Sequence, residues 1–253
     1  MEKRMILFHS DIDNTLIYSH KREIGSDKVG VERYQGRMIA YMTSRSHALL
    51  KQVAERLLLV PTTTRTAEQY NRIDFGIQSP KYALVCNGGI LLEDGRVDQA
   101  WYEDSYEMTR DAAGELTAAR DYLIRDVHRC FEVRMISELF LFTKSERPVE
   151  TIEGLKQILD TNKVDICHHR NKIYVIPKSL NKGTACQRFR EKQKADCVIA
   201  AGDSGFDVSM LKTADIAIAP KQLCDTYHLK VQTVCSGESG IFSDFLLEYI
   251  LHL

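Results

Sequence analysis

The sequence of 253 residues predicts an α/β fold built around a parallel sheet, with a separate α+β unit inserted into it. Short apolar runs that each end in small or polar residues are typical of strands in a parallel sheet covered on both faces. Helical patterns lie between several of these runs, as they do in βα units. In the middle of the chain the predicted order changes to αββαββ, which indicates the inserted unit.

The predicted elements of the parallel sheet are spread over both ends of the chain. The strands are the apolar runs 5–8, 57–60, 82–86, 197–201 and 216–219. Amphipathic patterns predict helices over 48–58, 182–193 and 242–251. Residues 18–43 form a longer connection than the roughly two to six residues usual in a βα loop, and we expect a hairpin flap within it.

The inserted unit is predicted between the third and fourth of these strands. Its elements are a helix at 109–128, strands at 131–136 and 139–143, a helix at 149–159, and strands at 164–168 and 173–176. We therefore predict three segments: the first part of the core at 1–104, the insert at 105–177, and the second part of the core at 178–253.

Composition excludes several classes of partner. The 34 Lys and Arg residues nearly balance the 35 Asp and Glu residues, and no long block of one sign predicts a nucleic-acid surface or a polybasic membrane patch. No apolar run approaches the roughly 18 residues of a membrane span. We expect a soluble, cytoplasmic protein whose partner is a small molecule, while the sequence does not indicate an oligomeric state.

The seven cysteines are odd in number and include no CxxC pair. This pattern argues against both a disulfide framework and a zinc site, and a reducing cytoplasm fits it best.

Acidic residues follow two of the predicted strands. Asp11 and Asp13 come directly after the first strand, and Asp203 and Asp207 come after the run 197–201. One acid in such a place could cap a helix or face solvent. Acidic residues at the end of a second strand are hard to explain by helix capping. In open α/β sheets, ligands bind beyond the carboxyl ends of the strands.

Other polar residues stand at predicted element ends. Lys182 lies in the first turn of a predicted helix, where a cation is unfavourable unless a negative group is near. The run 57–60 ends in threonines at 62–64, whose hydroxyls suit phosphate oxygens. Arg65 and Asn87 follow strands and are candidates for the rim of a substrate site, although Asn-Gly is also common in plain turns.

Taken in order, these motifs resemble those of the haloacid dehalogenase (HAD) superfamily of phosphohydrolases. They are Asp-x-Asp-Asn-Thr-Leu at 11–16, a strand-terminal Thr, a Lys that opens a helix, and Gly-Asp-Ser-x-x-Asp at 202–207. The insert between the Thr and Lys motifs resembles the subclass IIB cap of Cof-type sugar-phosphate phosphatases and sucrose-phosphate phosphatase. The resemblance implies a Rossmann-like parallel-sheet core with an α+β cap. Many relatives have Asn where this chain has Phe206.

The resemblance also implies a role for each matching residue. Asp11 would attack phosphorus to form an aspartyl-phosphate, and Asp13 would act as general acid and then general base. Thr63, aligned with the Thr of the family's Thr-Gly-Arg variant, and Lys182 would hold the phosphoryl oxygens.

A magnesium ion is the implied cofactor, because an acidic cluster and a phosphate repel each other unless a cation intervenes. The carboxylates of Asp11 and Asp203 and the backbone carbonyl of Asp13 would hold Mg²⁺. Asp207 would orient the metal's waters or Lys182 from the second coordination shell.

The preferred interpretation is a Mg²⁺-dependent phosphatase of a small phosphorylated metabolite, with a sugar phosphate first among the candidates. One alternative is a phosphosugar mutase or phosphotransferase on the same scaffold, which passes the phosphoryl group to a sugar hydroxyl. Another is a non-catalytic binding protein, but that would be marked by loss of a motif acid, and all four acids are present.

The insert is expected to set substrate choice, although no motif in it encodes a ligand. Its polar candidates are Lys144, His168, His169 and Arg170. Each of them is more typical of a surface residue than of a ligand contact, so the site prediction does not include them.

Overall fold

The computed structural model describes residues 4–229, 231–237 and 239–253. The strands in chain order are β1 Ile6–Ser10, β2 Tyr18–Ser19, β3 Lys28–Tyr34, β4 Arg37–Thr43, β5 Leu58–Pro61, β6 Tyr82–Val85, β7 Ile90–Glu93, β8 Arg96–Val97, β9 Arg134–Ile136, β10 Phe140–Lys144, β11 Val164–His169, β12 Lys172–Pro177, β13 Cys197–Ala201, β14 Ile216–Pro220 and β15 Gln232–Ser236. The helices are α1 Ser44–Arg56, α2 Ala67–Tyr70, α3 Gln99–Thr109, α4 Ala113–Arg125, α5 Pro148–Ile158, α6 Lys182–Gln193, α7 Val208–Thr213, α8 Lys221–Thr226 and α9 Phe242–Leu251.

The chain divides into two compact units. One unit combines Met1–Asp98 with Lys182–Leu253, and the other is Gln99–Asn181. We propose that the first unit is the predicted core and the second the predicted insert. The domain boundaries that we placed after residues 104 and 177 stay a prediction.

The first unit is built on a parallel sheet in the order β15-β14-β13-β1-β5. Leu7 in the central strand β1 pairs with Val198 of β13 on one side and with Leu58 of β5 on the other. Leu7 and Phe8 of β1 are fully buried, as expected for a strand covered on both faces. The predicted α/β fold with a parallel sheet is confirmed, and the carboxyl ends of β13, β1 and β5 share one edge.

Residues 82–85 form a strand, but it is not a member of the five-stranded parallel sheet as we predicted. Strand β6 pairs antiparallel with β7 in a separate sheet of order β6-β7-β8. It runs parallel to the segment after β5, through the bridge Thr62 to Leu84 and a hydrogen bond from the backbone N–H of Thr63 to the carbonyl of Leu84. The cause is the turn that follows β6, where Cys86 and Asn87 have φ of 53° and 59°. This left-handed backbone reverses the chain at once, so β7 becomes the partner of β6.

The long connection after β1 contains the predicted hairpin. Strands β3 and β4 pair antiparallel, and β2 pairs with the other edge of β4. Helix α1 begins earlier than predicted because the Thr43 hydroxyl accepts a hydrogen bond from the backbone N–H of Ser46, which caps the helix at Ser44.

The second unit has an antiparallel sheet in the order β11-β12-β10-β9. One face of this sheet packs on α4 and α5 through a buried apolar cluster that includes Leu141, Ile173 and Val175. The predicted element order is present, with one correction. The single helix expected at 109–128 is instead α3, a short 3-10 turn and α4, because the helical pattern begins at Gln99 and is interrupted at Arg110–Ala112.

Two of the cysteines form a disulfide, which the sequence did not predict. Cys224 of α8 is bonded to Cys235 of β15 with a Cα–Cα distance of 6.4 Å. The bond requires α8 to pack against β15. The spacing of the cysteines in the sequence does not reveal this contact. Among the described residues, no helix is long and apolar enough to cross a membrane.

Candidate active site

Three neighbouring strands deliver polar residues to one edge of the parallel sheet. Asp11 follows β1 directly, Asp203 stands two residues after β13, and Thr63 stands two residues after β5. The backbone N–H of Asp11 donates to the carbonyl of Ala201 at 2.8 Å, which extends the pairing of β1 and β13 to the first acid. The strand order therefore brings these residues together, as their positions in the sequence indicate.

Lys182 is the first residue of α6, and its side chain is 1% exposed. Its Nζ donates to Oδ1 of Asp11 at 2.5 Å and to Oδ1 of Asp207 at 2.6 Å. Burial opposes a charged amine, but the two carboxylates outweigh burial and raise the pKa of Lys182. The same carboxylates offset the unfavourable position of a cation at a helix N-terminus.

Asp207 is fully buried and organises the loop after β13. Its Oδ2 accepts hydrogen bonds from the backbone N–H groups of Asp203 and Ser204, at 3.1 and 2.9 Å, and from the Ser204 hydroxyl at 2.8 Å. A Cβ at Gly202 would lie only 2.3 Å from the Cβ of Asp207, so this loop requires glycine. Both oxygens of Asp207 are thus engaged, one with the loop and one with Lys182.

The acids Asp11, Asp203 and Asp207 each offer a carboxylate oxygen, and these oxygens lie within 4.8 Å of one another. The Thr15 hydroxyl stands between two of them, 3.5 Å from Oδ2 of Asp11 and 3.4 Å from Oδ1 of Asp203. Burial and then the charge of Asp207 raise the pKa of Asp11, and they raise the pKa of Asp203 to about 7.

This cluster fits a divalent cation. Three carboxylates converge here, and one ammonium group contacts two of them. Burial first, and then the charge of Asp207, raises the pKa of Asp11 and of Asp203, so the ionised acids are unfavourable without a further cation. Clustered hard oxygen donors are the ligands that Mg²⁺ prefers. Among the predicted ligands, the carboxylates of Asp11 and Asp203 belong to the cluster.

The carboxylate of Asp13 lies outside the acidic cluster. It receives a bidentate ion pair from Arg65, whose Nε and Nη2 donate to its two oxygens at 2.7 Å each. The Asp13 side chain is still 52% exposed. Its predicted role as general acid and base, and the metal contact predicted for its backbone carbonyl, stay predictions.

Arg65 also contacts a buried acid that the sequence did not reveal. Its Nη1 lies 2.9 Å from Oε2 of Glu32, a residue of β3 that is 2% exposed, and Arg72 lies 3.4 Å from the other oxygen of Glu32. Strand alternation places Val31 and Glu32 on opposite faces, yet both are buried. Register shifts flank Glu32 in the hairpin, and Glu32 also forms a bridge with Ile73. Such a bulge leaves no clear signal in the sequence.

Of the neighbouring threonines, Thr63 and not Thr62 remains the candidate for phosphate binding. The Thr62 hydroxyl is hydrogen-bonded to the ring of His9, whose pKa burial lowers to about 3, so His9 is neutral. The Thr63 hydroxyl accepts from the backbone N–H of Arg65 at 3.1 Å. Asn87 donates its backbone N–H to the carbonyl of Thr63 at 2.9 Å and therefore lies beside the site.

A sequence family described as haloacid dehalogenase-like hydrolase matches residues 67–223, more than half of the chain. The match includes Lys182, Asp203 and Asp207 and begins after Asp11 and Asp13. No protein of established function gave a significant sequence match.

Several solved structures resemble the whole chain. The sucrose-phosphatase of Synechocystis sp., in complex with sucrose and phosphate, has a TM-score of 0.65 at 19% identity, covering 99% of this chain and 98% of that one. A phosphatase of the HAD superfamily from Bacteroides thetaiotaomicron gives 0.56 at 16%, with coverages of 98% and 95%. The trehalose-6-phosphate phosphatase of Aspergillus fumigatus gives 0.53 at 14%, with 99% and 94%. At these identities the likeness shows the fold alone.

The ion pairs of Arg65 generate a prediction about stability. Arg65→Gln should reduce the local free energy of unfolding by about 3–5 kcal/mol, because it leaves the buried Glu32 without its closer partner. The matched control Arg45→Gln breaks a pair with Glu248 that is about half exposed on both sides, and it should cost less than about 1 kcal/mol.

Hydrogen–deuterium exchange of amides in β3 and β5 measures this difference. It is preferable to tryptophan fluorescence because Trp101 lies in the other unit. Equal loss of protection in the two variants would mean that Arg72 alone satisfies Glu32.

Proposed function

The chain belongs to the haloacid dehalogenase-like hydrolase family, and we propose that it is a Mg²⁺-dependent phosphatase of sugar phosphates that works through an aspartyl-phosphate on Asp11. The family match confirms the resemblance and the prediction of an enzyme. The observation that carries the finer proposal is the buried ammonium of Lys182 between Asp11 and Asp207. It ties the end of β1, the start of α6 and the loop after β13 together at one edge of the sheet.

Asp11 is suited to the role of nucleophile. One of its oxygens is held by Lys182, and the other faces Thr15 and Asp203. Lys182 offsets part of the negative charge, so a phosphate dianion can approach a carboxylate without full repulsion. Thr63 is proposed to hold a phosphoryl oxygen beside Lys182, because it follows the strand adjacent to β1.

Mg²⁺ would be held by the carboxylates of Asp11 and Asp203 and by the backbone carbonyl of Asp13. When bound there it supplies charge neutralisation at the phosphoryl oxygens. Asp207 takes no direct part in this set: it holds Lys182 with one oxygen and the Asp203–Ser204 backbone with the other. It thus acts as a positioning residue for both the cation and the metal ligand.

Asp13 is proposed to give a proton to the leaving oxygen of the sugar and then to take one from the attacking water. The two hydrogen bonds from Arg65 fix the direction of the Asp13 carboxyl group. In this proposal Arg65 orients Asp13, while Asn87 remains a candidate for the substrate rim.

The solved structures that resemble this chain support the proposal that the alcohol part of the substrate is a sugar. By name, one of them is a sucrose-phosphatase and another a trehalose-6-phosphate phosphatase, and each matches this chain over nearly its whole length. The substrate is therefore proposed to be a small phosphorylated metabolite of this kind.

Asp11→Asn should abolish phosphate release, because the amide keeps the side-chain shape but is not an anionic nucleophile. The assay measures inorganic phosphate from a panel of hexose, pentose and disaccharide monophosphates, with Mg²⁺ and with EDTA. Asp94→Asn is the control, since Asp94 lies in a turn with φ of 48°, a conformation that Asn tolerates. Full activity of Asp11→Asn, or no effect of EDTA on the wild type, would refute the proposal.

Asp13→Asn should lower turnover by about 10² to 10⁴-fold, the usual contribution of general acid–base catalysis. The aspartyl-phosphate that still forms should persist, because no base activates water. Acid quenching followed by mass spectrometry of the intact protein detects the added phosphoryl group. Adding a second sugar phosphate as acceptor tests transfer: isomerised sugar phosphate without phosphate release would show a mutase instead.

Asp203→Asn should have opposite effects on stability without and with magnesium. Because the pKa of Asp203 in the folded protein is about 7, above the value of about 3.9 usual for an exposed Asp, the ionised acid destabilises the metal-free protein as pH rises from about 4 to 7. In EDTA at pH 8 the variant should therefore be more stable, by up to about 4 kcal/mol.

The advantage of Asp203→Asn should vanish below about pH 4, where Asp203 is protonated in both states. Saturating Mg²⁺ should raise the melting temperature of the wild type and of Asp94→Asn but much less that of Asp203→Asn. Identical Mg²⁺ responses in all three proteins would remove Asp203 from the metal site.

A further inference from the structure

The Cys224–Cys235 disulfide lies at the outer edge of the parallel sheet, where solvent reaches it. Strand β15, which carries Cys235, is the end strand of the order β15-β14-β13-β1-β5. Cys235 is exposed and Cys224 is half-buried, so a thiol in solution can approach the bond while the protein stays folded. Exposed disulfides are reduced more readily than buried structural ones.

The bond contributes a large part of what holds helix α8 in place. Of the six residues of α8, only Leu223 is buried. A helix of this length is not stable without tertiary contacts, and one buried side chain supplies few of them. The disulfide adds a covalent attachment of α8 to β15 across a sequence separation of 11 residues.

Strand β14 connects the disulfide to the loop that follows β13. Ala219 of β14 pairs with Cys235, and its carbonyl oxygen lies 3.8 Å from Sγ of Cys224, so both cysteines contact β14 at one residue. The preceding residue of β14, Ile218, accepts a hydrogen bond from the backbone N–H of Gly202 at 3.3 Å. Gly202 begins the segment 202–207, which we call the acidic loop because it carries two acids of the site.

Tyr227 makes a second and more direct connection to the acidic loop. It follows α8, and its backbone N–H donates to the carbonyl of Leu223 at 2.9 Å. A Cβ at Gly205 would lie 3.1 Å from the Tyr227 hydroxyl oxygen, so this side chain lies directly over the acidic loop. Because Tyr227 is itself 36% exposed, its position depends on α8 more than on packing in the core.

We propose that Cys224 and Cys235 form a reversible thiol–disulfide switch that controls the order of the acidic loop. A thiolate of an external dithiol attacks the exposed sulfur of Cys235, forms a mixed disulfide and releases Cys224 as a thiolate. The second thiolate of the dithiol then attacks the reductant's own sulfur in the mixed disulfide, which releases Cys235 and leaves the reductant as a disulfide. Two electrons pass to the protein, and the two protons that the dithiol loses reach the cysteine thiolates through solvent.

Reduction frees α8 from β15 and so removes Tyr227 from the acidic loop. The loop should then open more often, because local opening is easiest where few buried contacts hold the backbone. This proposal does not rest on the proposed function, since it concerns the order of a loop and not turnover.

The test is hydrogen–deuterium exchange of the full chain in EDTA, before and after reduction with dithiothreitol. The amides of Asp203, Ser204 and Asp207 are all hydrogen-bonded, so their protection reports the order of the acidic loop. Reduction should speed their exchange and that of α8 by up to roughly 100-fold, the effect of freeing a closed loop of about 12 residues. Exchange of β5, on the far side of β13 and β1, should stay unchanged.

Three variants separate the steps. The double variant Cys224→Ser/Cys235→Ser should exchange like the reduced protein and should not respond to dithiothreitol. Cys130→Ser removes an exposed cysteine outside the disulfide and should keep the full response of the wild type. Tyr227→Ala, with the bond intact, should speed exchange of the acidic loop while α8 stays protected. Alkylation before and after reduction, followed by peptide mass spectrometry, reports the state of each cysteine.

Three results would overturn the proposal. They are a bond that dithiothreitol cannot reduce in the folded protein, unchanged exchange of the acidic loop after reduction, or an equal response to dithiothreitol in the double cysteine variant. A failure of the proposed phosphatase would appear instead as an absence of phosphate release by both the oxidised and the reduced protein, and it would leave the exchange result standing.

Discussion

The buried ammonium of Lys182 is the constraint on which the rest of the site depends. A charged amine that is 1% exposed requires compensating charge, and it receives this from Asp11 and Asp207, which lie on different segments of the chain. To bring all three together, α6 must begin at the sheet edge and approach α7 closely. A Cβ at Gly183 would lie 2.5 Å from the carbonyl oxygen of Ser209, so the helix contact depends on glycine next to the lysine.

The same arrangement has an excess of negative charge. Lys182 offsets the charge of about one carboxylate, while Asp11, Asp203 and Asp207 converge within 4.8 Å. Burial first, and then the charge of Asp207, raises the pKa of Asp11 and of Asp203, so ionisation of these acids destabilises the metal-free fold. This edge of the sheet is therefore less stable without a ligand. A divalent cation and a phosphate that bind there would relieve the repulsion and stabilise the folded protein.

The sequence predicted the parts of the site that follow from strand ends. Asp11, Asp203 and Lys182 were identifiable as candidates because each lies within two residues of a strand end or opens a helix, and parallel strands gather such ends at one edge. Glu32 was not, because its burial arises from a bulge in a hairpin, and local alternation gives the opposite expectation. The antiparallel pairing of β6 and the Cys224–Cys235 bond were missed for a related reason: each depends on a backbone turn or a tertiary contact that composition does not encode.

Asp11 and Asp13 are two residues apart and yet stand in contrasting surroundings. Asp11 is buried, shares its oxygens with Lys182 and Thr15, and belongs to the acidic cluster. Asp13 is half exposed, lies outside that cluster and is held by a guanidinium that is itself fixed by Glu32. Adjacent carboxylates in such different environments can take different chemical roles. In the proposed function the buried acid acts on the phosphoryl group. The exposed acid retains access to water, which a group that exchanges protons with the leaving oxygen and the solvent requires.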